Sequence, residues 1–281
     1  MMPRKWPDEP CQEAQPWHCT HTGIQMITFE EAVTATEAEA ITGLRTDALK
    51  RDDIVNLVLQ RSEVIRDQPK YNRYIRDWMG GDSTPLLELI DRMGSDVIVR
   101  RAAAFIYLEY LQLRPIFEAK APKSIADIGC GYAMFDLFLA RDFGSVVHLI
   151  DLESNDTRHF GFEEEAAAYS SLKVAKKLLT DNGVPAKSIK TLNPEKQDVL
   201  KLKKLDFAFS FISCGFHYPW DTYREFFLKS VAPDGRIILD IRSKVLNVAL
   251  RELSEIGYVR SVERAAGNTA DRVMIAKLDG V

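Results

Sequence analysis

A glycine-rich turn near the middle of the chain carries the residue pattern with the most chemical content. The apolar run Ser124–Ile128 predicts a short strand, Gly129 and Gly131 follow it, and a helical pattern covers 132–142. Glycines permit a tight turn and let a ligand approach the backbone closely. A helix N-terminus adds N–H groups that have no partner within the helix. We therefore expect this turn to hold a ligand.

The charge of that ligand follows from two residues beside the glycines. A dinucleotide fingerprint, Gly-x-Gly-x-x-Gly, would have its third glycine at position 134, where this chain has Met134. Asp127 stands directly before the turn, where a carboxylate would repel a pyrophosphate. A cationic ligand fits better, and S-adenosylmethionine (SAM) is one, since it carries a sulfonium and an α-ammonium group.

A second acid strengthens this interpretation. Asp151 ends the apolar run 146–150 and comes 20 residues after Gly131. An acid about 20 residues after a glycine turn is the expected acceptor of ribose hydroxyl groups. Asp151 alone could be an ordinary helix cap, but together with the turn and Asp127 it indicates a cationic nucleoside ligand.

The same residues resemble a known family. Asp-Ile-Gly-Cys-Gly at 127–131, with the strand-end acid Asp151, is similar to motifs I and II of the class I SAM-dependent methyltransferases. Residues 206–219 resemble the fourth strand of that family and its following loop, and 231–240 resemble the next turn and strand. The segment Phe-His-Tyr-Pro at 216–219 resembles bacterial members that act on sugars or other small polar metabolites.

This resemblance implies a Rossmann-like α/β fold within residues 121–281. The implied sheet has seven mostly parallel strands with flanking helices, and its last strand pair forms an antiparallel reversed hairpin. The implied cofactor contacts lie in the turn and at the strand ends: Asp127, Gly129, Cys130, Gly131, Asp151, Leu152, Asn193 and Ser213. We expect Cys130 to pack with its side chain and to meet the ligand only through its N–H group. Asp198 is an alternative to Asn193 for the adenine, and it also predicts a cap for a short helix at 199–204.

Candidates for the methyl-transfer chemistry follow the fourth predicted strand, at 213–220. Ligands of open α/β sheets bind outside the carboxyl ends of the strands, and this segment reaches that edge. His217 could be a general base for an acceptor hydroxyl, because the intrinsic pKa of histidine suits neutral pH. Tyr218 could orient the acceptor, and Trp220 could contact it. In the alternative interpretation, His217 and Tyr218 only shape the pocket wall.

Further substrate contacts are predicted outside that loop. The polar stretch 152–162 is long for a strand–helix connection, so Arg158 and His159 could reach the substrate from it, although it could equally be a solvated loop. Tyr74 belongs to the aromatic and basic run 71–78, which either enters the active site or packs as an ordinary helix. The group Cys11, His18, Cys19 and His21 matches no standard zinc spacing, and we predict no metal site.

Short apolar runs alternate with helical patterns after residue 123, which predicts a doubly wound parallel sheet. The expected strands are 124–128, 146–150, 188–192, 206–212, 236–241, 258–262 and 272–276, and the expected helices 132–142, 164–181, 220–231 and 243–255. Residues 1–22 predict an irregular arm, and 23–120 a helical cap that covers the substrate side or forms a homodimer.

Composition narrows the class of protein. The chain has 281 residues, 46% of them hydrophobic and 28% charged, as in ordinary globular proteins. A net charge of −4 and Ser-Cys-Gly-Phe at 213–216 disfavour the alternative of an RNA or other nucleic-acid methyltransferase. A nicotinamide oxidoreductase and a non-catalytic SAM-binding protein are further alternatives. Four scattered cysteines, no apolar run of about 20 residues and no signal-peptide pattern predict a cytoplasmic protein without membrane spans.

Overall fold

The computed structural model describes residues 26–152 and 171–277. Its strands are β1 (Ser124–Ile128), β2 (Val146–Ile150), β3 (Ile189–Leu192), β4 (Leu205–Ser210), β5 (Val231–Arg242), β6 (Gly257–Ala265) and β7 (Ala270–Lys277). Its α-helices are α1 (Phe29–Ala35), α2 (Glu39–Thr42), α3 (Arg51–Gln60), α4 (Tyr71–Met79), α5 (Thr84–Met93), α6 (Ser95–Ala119), α7 (Met134–Phe143), α8 (Leu172–Asp181), α9 (Arg224–Ser230) and α10 (Leu246–Leu253).

The strands form one seven-stranded sheet in the order β3-β2-β1-β4-β5-β7-β6. The first five are parallel, while β7 runs antiparallel to both β5 and β6. The predicted Rossmann-like fold and its reversed hairpin are thus confirmed. The strands are apolar because helices cover both faces of the sheet.

Two apolar clusters cover those faces. The first joins α1–α7, α8 and one face of β1, β2 and β4 into a continuous core, and the second packs α9 and α10 against the other face. The helices before residue 120 therefore share the core of the sheet. Where a domain boundary falls within this continuous core stays a prediction.

Local signals explain several helix ends. Thr28 and Glu31 form a capping box at the start of α1, with Glu31 N–H donating to Thr28 Oγ1 at 3.1 Å. Pro85 sits in the first turn of α5. Asp198 Oδ1 accepts a hydrogen bond from Leu200 N–H at 2.9 Å, which caps a 3₁₀ turn at Val199–Lys201.

Some predicted boundaries differ from the structure. The described part of the helical region predicted at 23–120 consists of α1–α6 separated by turns, and a 3₁₀ helix occupies Ser62–Ile65. The predicted helices at 220–231 and 243–255 each begin as a short 3₁₀ helix. The turn expected at 231–235 lies within β5 as an irregularity, because the pairing shifts from Leu205 with Val231 to Phe207 with Arg236. The arm 1–22 lies outside the described residues.

Candidate functional site at the carboxyl edge of the sheet

The glycine turn lies between the carboxyl ends of β1 and β2. Gly129 and Gly131 have φ angles of 75° and 55°, which an L side chain adopts with strain. Gly129 N–H donates to Ile150 O at 2.7 Å, and Gly131 N–H donates to Asp151 Oδ2 at 2.9 Å. The carboxylate at the end of β2 therefore meets the turn directly. The predicted contact of Asp151 with ribose hydroxyls stays a prediction.

Ala133 ends this turn in the same left-handed region, at φ 56°. For a residue with a Cβ this conformation costs on the order of 1–2 kcal/mol. Strain of this kind persists where the surrounding structure holds it, often at functional sites. Here Tyr132 provides an anchor beside it, since its hydroxyl lies 3.0 Å from Asp53 Oδ1 in α3.

Asp127 is buried at the end of β1, with 5% of its surface exposed. Burial and the neighbouring Asp136 raise the pKa of Asp127 well above its usual value. Asp136, in the first turn of α7, is fully buried, and burial raises its pKa to about 7. Sequence reasoning missed Asp136, although it is the one acid within the apolar stretch Met-Phe-Asp-Leu-Phe-Leu-Ala at 134–140.

Cys130 is buried between these groups. Burial, and then the charge of Asp151, raise the pKa of its thiol well above the usual value, so the side chain is neutral. Its N–H group faces Ile150 O at 3.4 Å. The thiol packs as expected, and a ligand contact of the N–H group stays a prediction.

The loop after β4 packs against the glycine turn through Ser213. A Cβ atom added to Gly129 would lie 2.1 Å from Ser213 Oγ and 2.4 Å from Ser213 Cβ. Position 129 therefore requires glycine for packing as well as for its φ angle. Ser213, one of the predicted cofactor contacts, lies beside the turn.

A buried ion pair holds the start of this loop. Ile212 has a φ of 52°, which is strained for a β-branched residue, and its N–H group donates to Asp240 Oδ2 at 3.2 Å. Arg272 binds both oxygens of Asp240, at 2.7 and 2.9 Å, and contacts Glu263 as well. Sequence reasoning missed this cluster, whose signal is the charge of Asp240 between the apolar residues Leu239 and Ile241.

The two candidate catalytic residues lie in the same loop. The Tyr218 hydroxyl is 3.4 Å from Ser213 Oγ. The backbone N–H group of His217 donates to the backbone carbonyl oxygen of Ser213 at 2.8 Å. Burial, and then the nearby guanidinium of Arg242, lower the pKa of His217. Its imidazole is therefore neutral at pH 7 and able to accept a proton.

Two predicted cofactor contacts, Leu152 and Asn193, follow the ends of β2 and β3. Leu152, directly after Asp151, keeps 47% of its surface exposed. Asn193, after β3, is 3% exposed, and its buried Nδ2 has no hydrogen-bond partner. Asn193 also lines a cleft of about 360 Å³ with Thr191, Gln197 and three lysines. The competing candidate Asp198 is exposed and engaged in its cap.

The other predicted substrate residues stay predictions, and the structure gives the surroundings of two of them. Trp220 is 5% exposed within the second apolar cluster, and its indole N–H donates to Glu252 Oε2 at 2.9 Å. It faces the core because a bulky indole with one satisfied donor is stabilised by burial. Tyr74 lines a cleft on α4 with Lys70, Arg73 and Pro85. Arg158 and His159 lie outside the described residues.

The described residues contain neither a candidate membrane span nor a candidate metal site. None of its helices is both long and apolar enough to cross a bilayer. Within 26–152 and 171–277, no group of three or more His, Cys, Asp or Glu residues could hold a metal ion.

Comparison with known proteins gives general structural likeness only. No protein-family model matches the chain, and no curated protein matches it. Solved structures that it resembles include the SAM-dependent methyltransferase SibL (16% identity, 66% of this chain and 59% of that chain, TM-score 0.42). Another is the O-methyltransferase from Bacillus cereus in complex with SAH (14% identity, 61% and 81%, TM-score 0.44). A third is a methyltransferase from Geobacter sulfurreducens (17% identity, 62% and 78%, TM-score 0.40).

The chain spans 59% of the length of SibL, and 60% and 48% of the length of two further similar structures. Because the TM-scores are below 0.5, the fold assignment depends on the strand order described above and not on these alignments. The function depends on the geometry of the site.

Proposed function

We propose that this chain is a SAM-dependent methyltransferase that transfers a methyl group to an O, N or S atom of a small polar metabolite. One observation carries the proposal: the glycine turn has buried Asp127 beneath it and Asp151 bonded to it. A buried acid suits an ammonium group and opposes a pyrophosphate. The strand order with β7 antiparallel between β5 and β6 supports the same choice, since the dinucleotide-binding order is 3-2-1-4-5-6.

The residues at this edge fit the parts of SAM. Asp127 would meet the α-ammonium group, and Asp151 the ribose hydroxyls. Exposed Leu152 offers an apolar surface for the adenine, and the unpartnered Nδ2 of Asn193 offers a donor to a ring nitrogen. A buried donor without a partner is unfavourable by about 1–3 kcal/mol, so a ligand acceptor there would be stabilising.

When bound, SAM supplies an electrophilic methyl group for an acceptor nucleophile. His217 would take the proton that the acceptor loses, since its lowered pKa keeps the imidazole neutral. Tyr218 would orient the acceptor through its hydroxyl group, and Ser213, beside the glycine turn, would contact the cofactor. The helices before residue 120 would exclude water, because α3 reaches the glycine turn through Tyr132. Positioning in a dry site supplies much of the rate of such a reaction.

Asp151→Ala tests the cofactor site by calorimetric titration with SAM and S-adenosylhomocysteine. We expect micromolar binding to the wild type, weakened in the variant by about 1–2 kcal/mol or more. Asp206→Ala is the matched control, because Asp206 also accepts backbone N–H groups, from Lys123 and Ser124, but at the opposite edge of the sheet. Absence of binding to the folded wild type would overturn the proposal.

A panel of hydroxyl, amine and thioether acceptors then tests turnover. His217→Ala should lower kcat by about 10²-fold or more at unchanged SAM affinity if His217 is the base. An unchanged kcat would leave His217 as part of the pocket wall. Bound SAM without turnover of any acceptor would favour a non-catalytic SAM-binding protein.

The remaining parts of the proposal concern assembly and location. We propose that residues 23–120 form the cap of a catalytic domain at 121–281 and also the contact of a homodimer, which light scattering would test. The two described cysteines, Cys130 and Cys214, are free and buried. Free thiols are typical of reducing compartments, which supports a cytoplasmic location.

A further inference from the structure

Arg242 ends β5 at the carboxyl edge of the sheet, next to the loop that carries the candidate base. Its backbone N–H group donates to Gly215 O at 3.0 Å, which joins the end of β5 to that loop. Its guanidinium lies over the Phe216 ring, with Cζ 4.6 Å from the ring centroid. The same ring meets the His217 imidazole edge to face, at 5.1 Å between centroids. Arg242 and His217 therefore contact the same aromatic side chain.

The guanidinium of Arg242 has no carboxylate partner among the residues that the structure describes. Its Nε atom is buried and has no hydrogen-bond partner. By contrast, Arg61, Arg101 and Arg272, whose side chains are at most 14% exposed, each bind a carboxylate within 2.9 Å. A buried donor without an acceptor is unfavourable, so an anion bound to Arg242 would be stabilising.

Two acids of the neighbouring strand segments are bound by other arginines. Asp240, two residues before Arg242 on β5, is bound through both oxygens by Arg272. Asp271, at the start of β7, accepts a hydrogen bond from Arg264 Nη1 at 2.9 Å. Neither acid therefore neutralises the charge of Arg242.

The loop after β4 connects this cation with the cofactor end of the site. Ser213 packs on Gly129 of the glycine turn, and the Tyr218 hydroxyl lies 3.4 Å from Ser213 Oγ. Arg242 lies on the other side of the loop, because β4 stands between β1 and β5 in the sheet. An acceptor with its nucleophile between the turn and His217 would therefore extend toward Arg242.

The charge at this place favours a carboxylate over a phosphate. Burial, and then the charge of Arg242, lower the pKa of His217, and no second cation of the described residues contributes. A guanidinium is a rigid fork of donors that matches a carboxylate through two parallel hydrogen bonds. One guanidinium offsets the single charge of a carboxylate, whereas a phosphate group carries a charge of about −1.5 to −2 at neutral pH.

We propose that Arg242 binds a carboxylate group of the methyl acceptor, so that the substrate is an anionic, carboxylate-bearing metabolite. The inference rests on the proposed function, which supplies the acceptor. Phe216 holds the guanidinium in place through its cation–π contact. The bound carboxylate would fix the acceptor beside His217, which would then take the proton of the nucleophile.

NMR spectroscopy of the full chain with isotope-labelled histidine tests the anion site without knowledge of the acceptor. The probes are acetate and benzoate, with acetamide and benzamide as neutral counterparts, at constant ionic strength. We expect the ring signals of His217, identified with His217→Gln, to shift saturably with each carboxylate and not with the amides. Inorganic phosphate should bind more weakly than the carboxylates, and tighter binding of phosphate would overturn the carboxylate assignment.

Variants of Arg242 test the contact itself. Arg242→Gln should abolish the carboxylate-dependent shift, because it removes the charge. Arg242→Lys should keep it with affinity about tenfold lower, because an ammonium group has charge but no planar fork. Arg236→Gln is the matched control, since Arg236 lies partly buried at the opposite end of the same strand and donates to Asp234 O. The control should bind the probes as the wild type does.

Turnover provides the second measurement, with each acid of the acceptor panel paired with its amide. The acids should have the higher kcat/KM. Arg242→Gln should raise KM for an acid by about 10- to 100-fold and change the Kd for SAM by less than about twofold. An equal rise in KM for the acid and its amide would overturn the inference.

The outcomes separate the two proposals. A His217 signal that responds to neither carboxylate, or responds equally to the amides, would overturn the inference and leave the cofactor assignment intact. The same carboxylate affinity in Arg242→Gln as in the wild type would also overturn it. Absence of SAM binding would overturn the proposed function, while the NMR result would still decide whether Arg242 binds a carboxylate.

Discussion

Substitution of the first glycine of the turn tests how the loop after β4 is held against the ligand site. In Gly129→Ala, the new Cβ would lie 2.1 Å from Ser213 Oγ and 2.4 Å from Ser213 Cβ. Gly131→Ala is the matched control, because its φ is also positive but its Cβ would meet nothing nearer than Gln60 Oε1, at 3.8 Å. The two variants share the backbone strain and differ in the collision.

The magnitudes follow from those two terms. Left-handed backbone at a residue with a Cβ costs about 1–2 kcal/mol, and both variants incur it. Overpacking a filled site adds about 1–3 kcal/mol, and only Gly129→Ala incurs that. The free energy of unfolding should therefore fall by about 2–5 kcal/mol in Gly129→Ala and by about 1–2 kcal/mol in Gly131→Ala.

Urea denaturation measures these differences, provided that the slope m stays constant between variants. The double variant Gly129→Ala/Ser213→Gly removes both colliding atoms and should recover about 1–3 kcal/mol, a coupling that a double-mutant cycle isolates. Ser213→Ala should recover less, since the Cβ atom of residue 213, 2.4 Å from the added Cβ, remains. Equal destabilisation by the two glycine substitutions, or no recovery in the double variant, would refute the packing argument.

Three further predictions concern buried groups. Burial raises the pKa of Asp136 from its usual 3.8 to about 7, so the free energy of unfolding of the wild type should fall as pH rises between these values. From pH 5 to pH 8, urea unfolding should show that the free energy of unfolding of Asp136→Asn gains about 2–3 kcal/mol relative to the wild type, and no gain would contradict the burial argument. Arg272→Met leaves buried Asp240 unpaired and should cost about 3–5 kcal/mol in thermal or urea unfolding, whereas the double variant with Asp240→Leu should lose less. Trp220→Phe removes the hydrogen bond to Glu252 and should lower stability by about 1–3 kcal/mol while kcat and KM stay unchanged; a raised KM would return Trp220 to the substrate site.

Local patterns in the sequence were enough to predict the sheet and the core of the candidate site. Each strand is a short apolar run between polar turns, so its position can be read without knowing its neighbours. The glycine turn and Asp151 belong to consecutive strands of one parallel unit, whose carboxyl ends meet at one edge. Their placement at one edge of the sheet was therefore predictable, whereas the hydrogen bond from Gly131 N–H to Asp151 Oδ2 is seen only in the structure.

Tertiary packing decided the rest, because it joins residues that no local period relates. Asp136 is fully buried because α7 packs into the apolar cluster that covers one face of β1, β2 and β4. Arg272 meets Asp240 through the register of two antiparallel strands, across 32 residues of sequence. The loop after β4 directs Ser213 to the turn, while Trp220 is turned into the core. A burial pattern predicts that a side chain is inside, but the partner that satisfies its charge or its donor is set by how the elements pack.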